Sequence, residues 1–315
     1  MKISVVVCTH NRADLLDRLM KSLAAADRPD KTETEIEVLV IANACSDHTE
    51  DLLDRWEREG RDSSNLAVRW AAEPRQGKSN ALNKALGLLD SNAAVFIDDD
   101  QRIAKDFLVA VVRVLEANTS INIFCGRLIP DWDGQEPDWV HDTGPYRIYP
   151  PPITTFDAGE SHTLIDAESL KPPGGNLIYR TSLLKSVGQF STQLGPQGHD
   201  FAGGEDNEYL QRALAQGELI LYAPDIVQYH YVDLDRLRLS QLLRMSYQRS
   251  RASARVHRVG AGVPLYLWRR LVEYLLSATF SLSSRRTRFY LVRSAAVLGE
   301  IRGLGEVVGD SPIGQ

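Results

Sequence analysis

The chain has 315 residues, of which 43% are hydrophobic and 25% are charged, and its formal net charge is −6. This composition is typical of a globular protein with one large domain and an appendage. No stretch approaches the roughly 18 uncharged apolar residues of a membrane-spanning helix, and the N-terminal residues become polar too early for a signal peptide, so we expect a cytoplasmic protein. The three cysteines, Cys8, Cys45 and Cys125, lack metal-type spacing and fit a reducing compartment.

The first part of the chain alternates predicted strands and helices, which is typical of an α/β sheet. In chain order we predict a strand at 3–7, a helix at 14–26, a strand at 36–41, a helix opening at 46, a strand at 66–70, a helix at 78–89 and a strand at 93–97. Ligands of open α/β sheets gather at the carboxyl ends of the strands. Polar residues at these ends should therefore line one crevice, namely Thr9, His10, Asn11, Asn43, Asp98, Asp99 and Asp100.

Three consecutive aspartates follow the strand predicted at 93–97. Adjacent carboxylates at the end of a buried strand repel one another and lose hydration. A divalent cation with oxygen ligands is the expected neutralising partner of Asp98, Asp99 and Asp100. The alternative is that the triplet caps the following helix, where aspartate is also favoured.

Residues 130–173 show no strand or helix period and are rich in Pro, Gly, Trp, Tyr and Asp. Long loops of this kind inside a compact domain are usually functional. Beyond them, Glu205 and Asp206 follow two glycines and open a helix predicted at 207–216. A carboxylate in this position suits a general base, although both acids could simply cap the helix.

His230 lies beyond a strand predicted at 219–222 and a connector predicted at 223–225. Its imidazole is either a metal ligand or a structural residue, and the sequence leaves both open.

Residues 236–293 contain thirteen arginines, no lysine and a single acid, so this segment carries about +12 and the remainder about −18. Apolar residues recur through it at helical spacing: Leu237, Leu239, Leu242, Leu243, Met245, Leu265, Leu267, Trp268, Leu271, Leu275 and Leu276. Arginine with Trp and Leu suits an anionic membrane surface, whereas a helical tail packed on the main domain gives the same pattern. Nucleic acid is not expected, because the acidic remainder would repel it and no binding motif is present.

Five segments occur in a recognisable order: 5–12, 40–47, 77–83, 96–100 and 203–206. Their sequences are VVVCTHNR, VIANACSD, GKSNALN, FIDDD and GGED. Together they resemble family 2 glycosyltransferases of the GT-A fold. The resemblance covers about residues 1–232 and implies an α/β domain with a mixed, mostly parallel sheet flanked by helices, leaving 233–315 as an arginine-rich helical C-terminal extension.

The resemblance also implies donor-side roles. By the family's D-x-D pattern, Asp98 faces the ribose or base side of the nucleotide, Asp99 the donor sugar region, and Asp100 a Mn²⁺ or Mg²⁺ ion. Thr9 and Asn43 match positions that contact the nucleoside base. 

The remaining donor-side positions are Asn11, in the same nucleotide-sugar crevice, and Lys78, which stands where the family has a basic residue near the donor. Many relatives have Asp where this chain has Ala42, which bears on the identity of the base. A UDP-sugar is the first expectation for the donor.

On the acceptor side, the resemblance makes Asp206 the catalytic base and Glu205 a neighbour that binds acceptor. Gly175 and Asn176 belong to a glycine-rich segment beside donor sugar and acceptor, and His230 is a candidate second metal ligand. The aromatic residues of the long loop could stack on sugar faces or form the loop's own small core.

From these features we predict an inverting, metal-dependent glycosyltransferase that moves a sugar from a nucleoside diphosphate to a saccharide or lipid-linked acceptor. Residues 236–293 could dock it on the inner face of a membrane. One alternative is a sugar-phosphate nucleotidyltransferase, although residues 9–12 lack the glycines of its characteristic loop. The other is a non-catalytic carbohydrate-binding or membrane-surface protein on a decayed transferase fold.

Overall fold

A computed structural model describes residues 1–30, 33–62, 66–165, 171–193, 204–256 and 263–306. Contacts divide the chain into two compact units, Met1–Asp131 with Thr154–Tyr231, and Trp132–Ile153 with Val232–Gln315. The second unit therefore takes Trp132–Ile153 out of the region predicted as the catalytic domain. The domain boundary predicted at residue 232 stays a prediction.

The first unit is built on one mixed sheet. Its described strands are β1 (Lys2–Thr9), β2 (Glu35–Asn43), β3 (Ala67–Glu73), β4 (Ala93–Asp98), β5 (Gln101–Ile103), β6 (Ile123–Asp131), β7 (Thr163–Ile165), β8 (Leu177–Arg180) and β9 (Ile220–Tyr231). Their order is β3-β2-β1-β4-β8-β6-β9-β5, and β7 pairs with β9. The first four strands of this order run parallel, so the ends of β1, β2 and β4 meet at one edge.

Helices cover both faces of the sheet. The described helices of this unit are α1 (Ala13–Ala25), α2 (Thr49–Asp62), α3 (Lys78–Leu88), α4 (Phe107–Ala117), α5 (Thr181–Val187) and α6 (Glu205–Leu214). Val5 and Val7 of β1 pack with α1, α2 and α4, whereas Val6 packs with α3, α5 and α6. Successive side chains of a strand point to opposite faces, so a strand buried on both sides reads as the continuous apolar run seen in β1.

Two sequence expectations differ from this fold. The residues predicted as a connector, 223–225, lie inside the single strand β9. Pro224 fits there because the register with β6 shifts between Cys125 and Arg127, which leaves residues 223–226 without ladder partners. The alternative of a helix cap for the aspartate triplet is wrong, because β5 follows it and the next helix begins at Phe107.

A buried ion network ties the first three strands together. Glu37 of β2 accepts hydrogen bonds from Ser4 Oγ at 2.7 Å and from Arg69 Nη2 at 2.9 Å, and Lys2 Nζ lies 3.4 Å away. Burial alone would raise the pKa of Glu37, but these partners outweigh it and lower the pKa below its ordinary value. The charged carboxylate therefore stabilises the folded protein.

We expect Glu37→Gln to lower the free energy of unfolding by about 2 kcal/mol at neutral pH, because Arg69 loses its buried partner. A carboxyl whose pKa is lowered on folding stabilises above its unfolded pKa of about 4.5 and loses that contribution as the pH falls through its folded pKa. Urea unfolding should therefore show the full deficit at about pH 7 and a smaller one at about pH 3, below the unfolded pKa. The surface pair Glu57–Arg61 of α2, with side chains 27% and 71% exposed, provides a control, since Glu57→Gln should change stability by less than about 0.5 kcal/mol. An equal deficit at both pH values would contradict the prediction.

The second unit is helical, with α7 (Leu239–Val256), α8 (Leu265–Thr279) and α9 (Ser284–Gly305). Helices α7 and α9 approach so closely at Gly299 that a Cβ there would collide with the backbone oxygen of Tyr247. Trp132 and Trp139 pack against a small cluster of Ile153, Val232 and Leu237. These aromatic residues thus serve a local core. Among the described helices, none is long and apolar enough to span a bilayer.

Candidate active site

The ends of β1, β2 and β4 surround a cavity of about 660 Å³. Its lining residues are Cys8, Thr9, His10, Asn11, Arg12, Asn43, Gln76, Gly77, Lys78, Ala81, Asp98, Asp99, Asp100 and His230. The cavity thus brings together all the predicted donor-side and metal-side residues. Its polar lining at one sheet edge is the arrangement that binds nucleotides in open α/β folds.

Two asparagines shape this cavity through backbone contacts. Asn43 donates from Nδ2 to the carbonyls of Glu73 and Arg75, and its Oδ1 accepts from the Gly77 amide at 2.9 Å. Asn11 adopts a φ of 52° and accepts a hydrogen bond from the Ser46 amide at 2.7 Å. Because the Asn43 amide is committed to these backbone groups, its part in the site is to hold the loop before α3.

Lys78 connects the aspartate triplet to the acids at the start of α6. Its Nζ lies 3.1 Å from Asp98 Oδ1, 3.2 Å from Asp206 Oδ2 and 3.7 Å from Glu205 Oε1. Burial would lower the pKa of Lys78, but the surrounding carboxylates outweigh it and raise the pKa well above its ordinary value. Lys78 therefore stays charged and fixes the positions of carboxylates that are 107 or more residues apart along the chain.

The two acids of α6 sit in different environments. Glu205 is buried, and burial together with the neighbouring charge of Asp206 raises its pKa. Asp98 responds in the opposite direction: burial acts to raise its pKa, but the charge and hydrogen bond of Lys78 lower it below the ordinary value. Asp206 is the more accessible acid of the pair, with a side chain 23% exposed against 4% for Glu205.

Arg12 pairs with the other two aspartates, Asp99 and Asp100. Its Nη1 lies 2.9 Å from Asp99 Oδ1 and 3.2 Å from Asp100 Oδ2. Burial is the main influence on Asp99 and raises its pKa to about 6, although Arg12 acts against it. The sequence predicted a divalent cation as the partner of the triplet. In the described structure the Arg12 guanidinium supplies some of the positive charge beside it.

His230 and Asp100 form the best candidate for a metal site. His230 Nε2 lies 3.7 Å from Asp100 Oδ1, a buried oxygen without a hydrogen-bond partner among the described residues. The other ring nitrogen, Nδ1, donates to the Tyr231 carbonyl at 2.8 Å, so a neutral imidazole would present the Nε2 lone pair to the ion. Carboxylate oxygen and imidazole nitrogen suit Mn²⁺. Within the described ranges no group of three or more ligating side chains stands ready for a metal, so further ligands would have to come from elsewhere.

The segment before β8 requires glycines. A Cβ on Gly174 would overlap the carboxylate of Asp206, and one on Gly175 would overlap the carboxylate of Asp98. Asn176 has a different role from the predicted acceptor contact. Its Oδ1 accepts from the Gly126 amide at 3.0 Å and its Nδ2 donates to the Gly126 carbonyl at 2.7 Å, so its amide holds β6 in place.

A second cavity of about 220 Å³ adjoins the same acids. Its lining residues are Asp98, Gln101, Leu128, Thr154, Pro172, Pro173, Gly174, Gly204, Glu205, Asp206, Asn207 and His230. Asp98 and His230 line both cavities, so the two spaces are adjacent at these residues. Asp206, in contrast, faces the smaller space.

Gln101 is a site residue that the sequence did not reveal. It is 1% exposed, and neither its Oε1 nor its Nε2 has a hydrogen-bond partner among the described residues. A buried amide left without partners is costly and calls for an explanation, and its place in the lining of the smaller cavity makes Gln101 a candidate ligand contact. Arg12 belongs to the segment 5–12, but the sequence did not predict its contacts, because its partners Asp99 and Asp100 follow a different strand, β4.

Comparisons with known proteins identify a family for this chain and structures that resemble it. Residues 4–171 match the family described as glycosyl transferase family 2. The chain is 21% identical over 187 residues to an uncharacterized glycosyltransferase of Nostoc sp., covering 59% of this chain and 53% of that protein. It is 26% identical over 185 residues to the poly(ribitol-phosphate) beta-N-acetylglucosaminyltransferase TarS of Staphylococcus aureus, covering 59% of this chain and 28% of that protein. The chain thus spans about half, or less, of these relatives.

Solved structures resemble nearly the whole chain. The mannosyltransferase PcManGT from Pyrobaculum calidifontis, in complex with GDP-Man and Mn²⁺, has a TM-score of 0.59 at 19% identity and aligns with 96% of this chain and 85% of that one. Residues 1–349 of S. aureus TarS, in complex with UDP-GlcNAc, have a TM-score of 0.55 at 18% identity, with 95% and 89% coverage. At these identities the likeness shows the fold, and it confirms the fold class expected from the sequence.

Proposed function

Because the chain belongs to glycosyl transferase family 2, we propose that it is an inverting glycosyltransferase that moves a sugar from a nucleoside diphosphate to a hydroxyl of a saccharide or lipid-linked saccharide. The observation that carries this proposal is that two adjacent cavities share Asp98 and His230 as lining residues, with Asp206 lining the smaller one. The larger cavity would hold the donor nucleotide, and the smaller one the acceptor.

The donor would lie along the edge formed by β1, β2 and β4. Thr9 and Asn11 line this cavity together with Asp98 and Asp99, and Asn43 holds the loop before α3 at the same edge. The structures it resembles carry GDP-Man and UDP-GlcNAc, so a nucleoside diphosphate sugar is the proposed donor class, with a UDP-sugar as the first choice.

Asp100 and His230 would hold a Mn²⁺ or Mg²⁺ ion. Two observations support this: His230 Nε2 lies 3.7 Å from Asp100 Oδ1, and that oxygen has no hydrogen-bond partner among the described residues. A bound divalent ion would neutralise the negative charge of the diphosphate, whose oxygens would complete its coordination. Arg12 would have to give up its contact with Asp100 Oδ2 if that oxygen also bound the ion.

Asp206 would act as the general base. The acceptor hydroxyl oxygen forms the new bond to the anomeric carbon and its proton passes to the Asp206 carboxylate, while the bond to the diphosphate breaks and its electron pair leaves with the phosphate oxygen. One displacement of this kind inverts the anomeric carbon. Lys78 would hold the carboxylates of Asp206 and Asp98 in fixed positions. Glu205 and Gln101 would contact the acceptor.

The proposal is tested by thermal unfolding of the protein with UDP, GDP, dTDP or CMP, each with and without Mn²⁺. Ligand that binds the folded state raises the melting temperature, and about a hundredfold excess over Kd contributes about 2.7 kcal/mol. We expect one nucleotide to give an increase that needs both Mn²⁺ and Asp100 and that Asp100→Ala abolishes. Asp27→Ala, at an exposed carboxylate outside the cavities, should behave as wild type. An absence of any metal-dependent increase would contradict the donor site.

Gln101→Leu should raise the KM for the acceptor by about 10- to 100-fold and leave the KM for the donor unchanged, because a site that hydrogen-bonds a hydroxyl loses these contacts on truncation. The assay uses the donor of the nucleotide found above and simple alkyl glycosides as acceptors. Gln228→Leu is the matched control, since Gln228 is equally buried, at 1% exposure, and lines neither cavity. Equal acceptor KM values for the two variants would rule out the proposed contact.

A further inference from the structure

Helix α8 has a second apolar face that the described residues of its unit leave exposed. Leu267 and Leu271 pack into a cluster with Val297 and Ile301 of α9. The opposite sides of the helix and the turn after it expose a set of large apolar side chains, with Leu265 85% and Phe280 78% exposed. This α8 apolar face consists of Leu265, Trp268, Val272, Leu275, Leu276, Phe280 and Leu282.

The spacing of these residues makes the face continuous. Steps of three and four residues from Leu265 through Trp268 and Val272 place side chains on one side of a helix. An exposed apolar surface of this kind usually marks a site of interaction. The exposed apolar surface is smaller than the one predicted from sequence for residues 236–293, because Leu237 and Leu242 are buried.

Cationic side chains accompany the face. Arg269 follows Leu265 by four residues and precedes Val272 by three, and it is exposed at the edge of the face. Arg269 and Arg286, the latter four residues after Leu282, form no ion pair with an acid in the part of the chain that the structure describes. The Arg286 guanidinium lies 4.9 Å from the centroid of the Tyr146 ring. The surrounding segment, 236–293, carries about +12 in sequence. Four of its arginines pair with acids outside the segment, which leaves about +8: Arg236, Arg238, Arg251 and Arg285.

We propose that the α8 apolar face docks on an anionic lipid surface. Its Leu, Trp and Phe side chains enter the boundary of the acyl chains, and Arg269 and Arg286 bind lipid phosphates. A second copy of the chain is a poorer occupant, because pairing through this face would bring two strongly positive segments together. The convex form of a helix face also suits insertion into lipid. This inference goes beyond the transferase chemistry and does not depend on it.

The test uses the full chain and sedimentation with two kinds of vesicle, phosphatidylcholine alone and equal parts of phosphatidylcholine and phosphatidylglycerol. We expect binding to the anionic vesicles, weakened by added salt. The triple variant Leu265→Gln, Trp268→Gln, Leu276→Gln should lower the affinity by at least about tenfold, while glutamine preserves the helix. Leu164→Gln with Leu219→Gln, at leucines 55% and 52% exposed in the first unit, is the matched control and should bind as wild type.

The charge is tested separately with Arg269→Glu and Arg286→Glu, against Arg58→Glu and Arg61→Glu on α2. Only the first pair should reduce binding to the anionic vesicles. The proposal is overturned by an absence of vesicle binding, by equal binding of the triple variant and wild type, or by a lipid-free dimer that the triple variant abolishes. The last outcome would assign the face to a second copy.

Discussion

An Asp206→Asn variant should retain donor binding and lose transfer activity by about a hundred- to ten-thousandfold, the usual contribution of a general base. The amide matches the carboxylate in shape but cannot take the proton of the acceptor hydroxyl. Lys78 keeps its contact with Asp98 in this variant, so the donor side of the cavity should be preserved. The measurement is a pair of assays on the same preparation, a nucleotide-dependent thermal shift and turnover of the sugar donor.

Glu208→Gln is the control for this variant. Glu208 lies on the same helix and pairs with Arg212, away from both cavities, so its loss should leave turnover unchanged. If Asp206→Asn turned over donor at the wild-type rate, the base would have to be another group. Loss of nucleotide binding in Asp206→Asn would instead indicate a structural role through Lys78. A wild-type protein that binds nucleotide and metal but transfers no sugar would favour the binding-only alternative.

The parts of the site that lie at strand ends could be predicted from sequence. Apolar runs such as 3–7 and 93–97 predict buried parallel strands, and the polar residues that follow such strands lie together at one edge of the sheet. Thr9, Asn43 and Asp98 line one cavity for this reason. The helix that carries Asp206 was also visible, because two acids after glycines are a common helix start.

Contacts that depend on the pairing of distant segments could not be predicted. Gln101 looks like an ordinary residue after the triplet, and its position next to His230 follows from the antiparallel pairing of β5 with β9. Asn176 serves the backbone of Gly126, 50 residues away, which no local pattern records. The grouping of residues 132–153 with the C-terminal helices likewise depends on side-chain packing between segments that are far apart in sequence.

The Gly175→Ala variant should reduce transfer by about a hundredfold, since displacement of a catalytic group by about 1 Å can have that effect. A methyl group at this position would overlap the carboxylate of Asp98 and lie 2.9 Å from Gln101 Nε2. Asp98 would have to move, which breaks its contact with Lys78 and disturbs both cavities together. We expect weaker nucleotide binding and a higher acceptor KM, measured by titration and by initial rates.

Gly87→Ala provides the matched substitution, because a Cβ at Gly87, near the end of α3, meets no atom within 4 Å. Alanine is favoured over glycine inside a helix by about 1 kcal/mol, so this variant should be slightly more stable and fully active. Circular dichroism and the melting temperature of Gly175→Ala separate a local effect on the site from general unfolding. A folded Gly175→Ala protein with wild-type kinetics would show that the close approach of the glycine to Asp98 is not needed for activity.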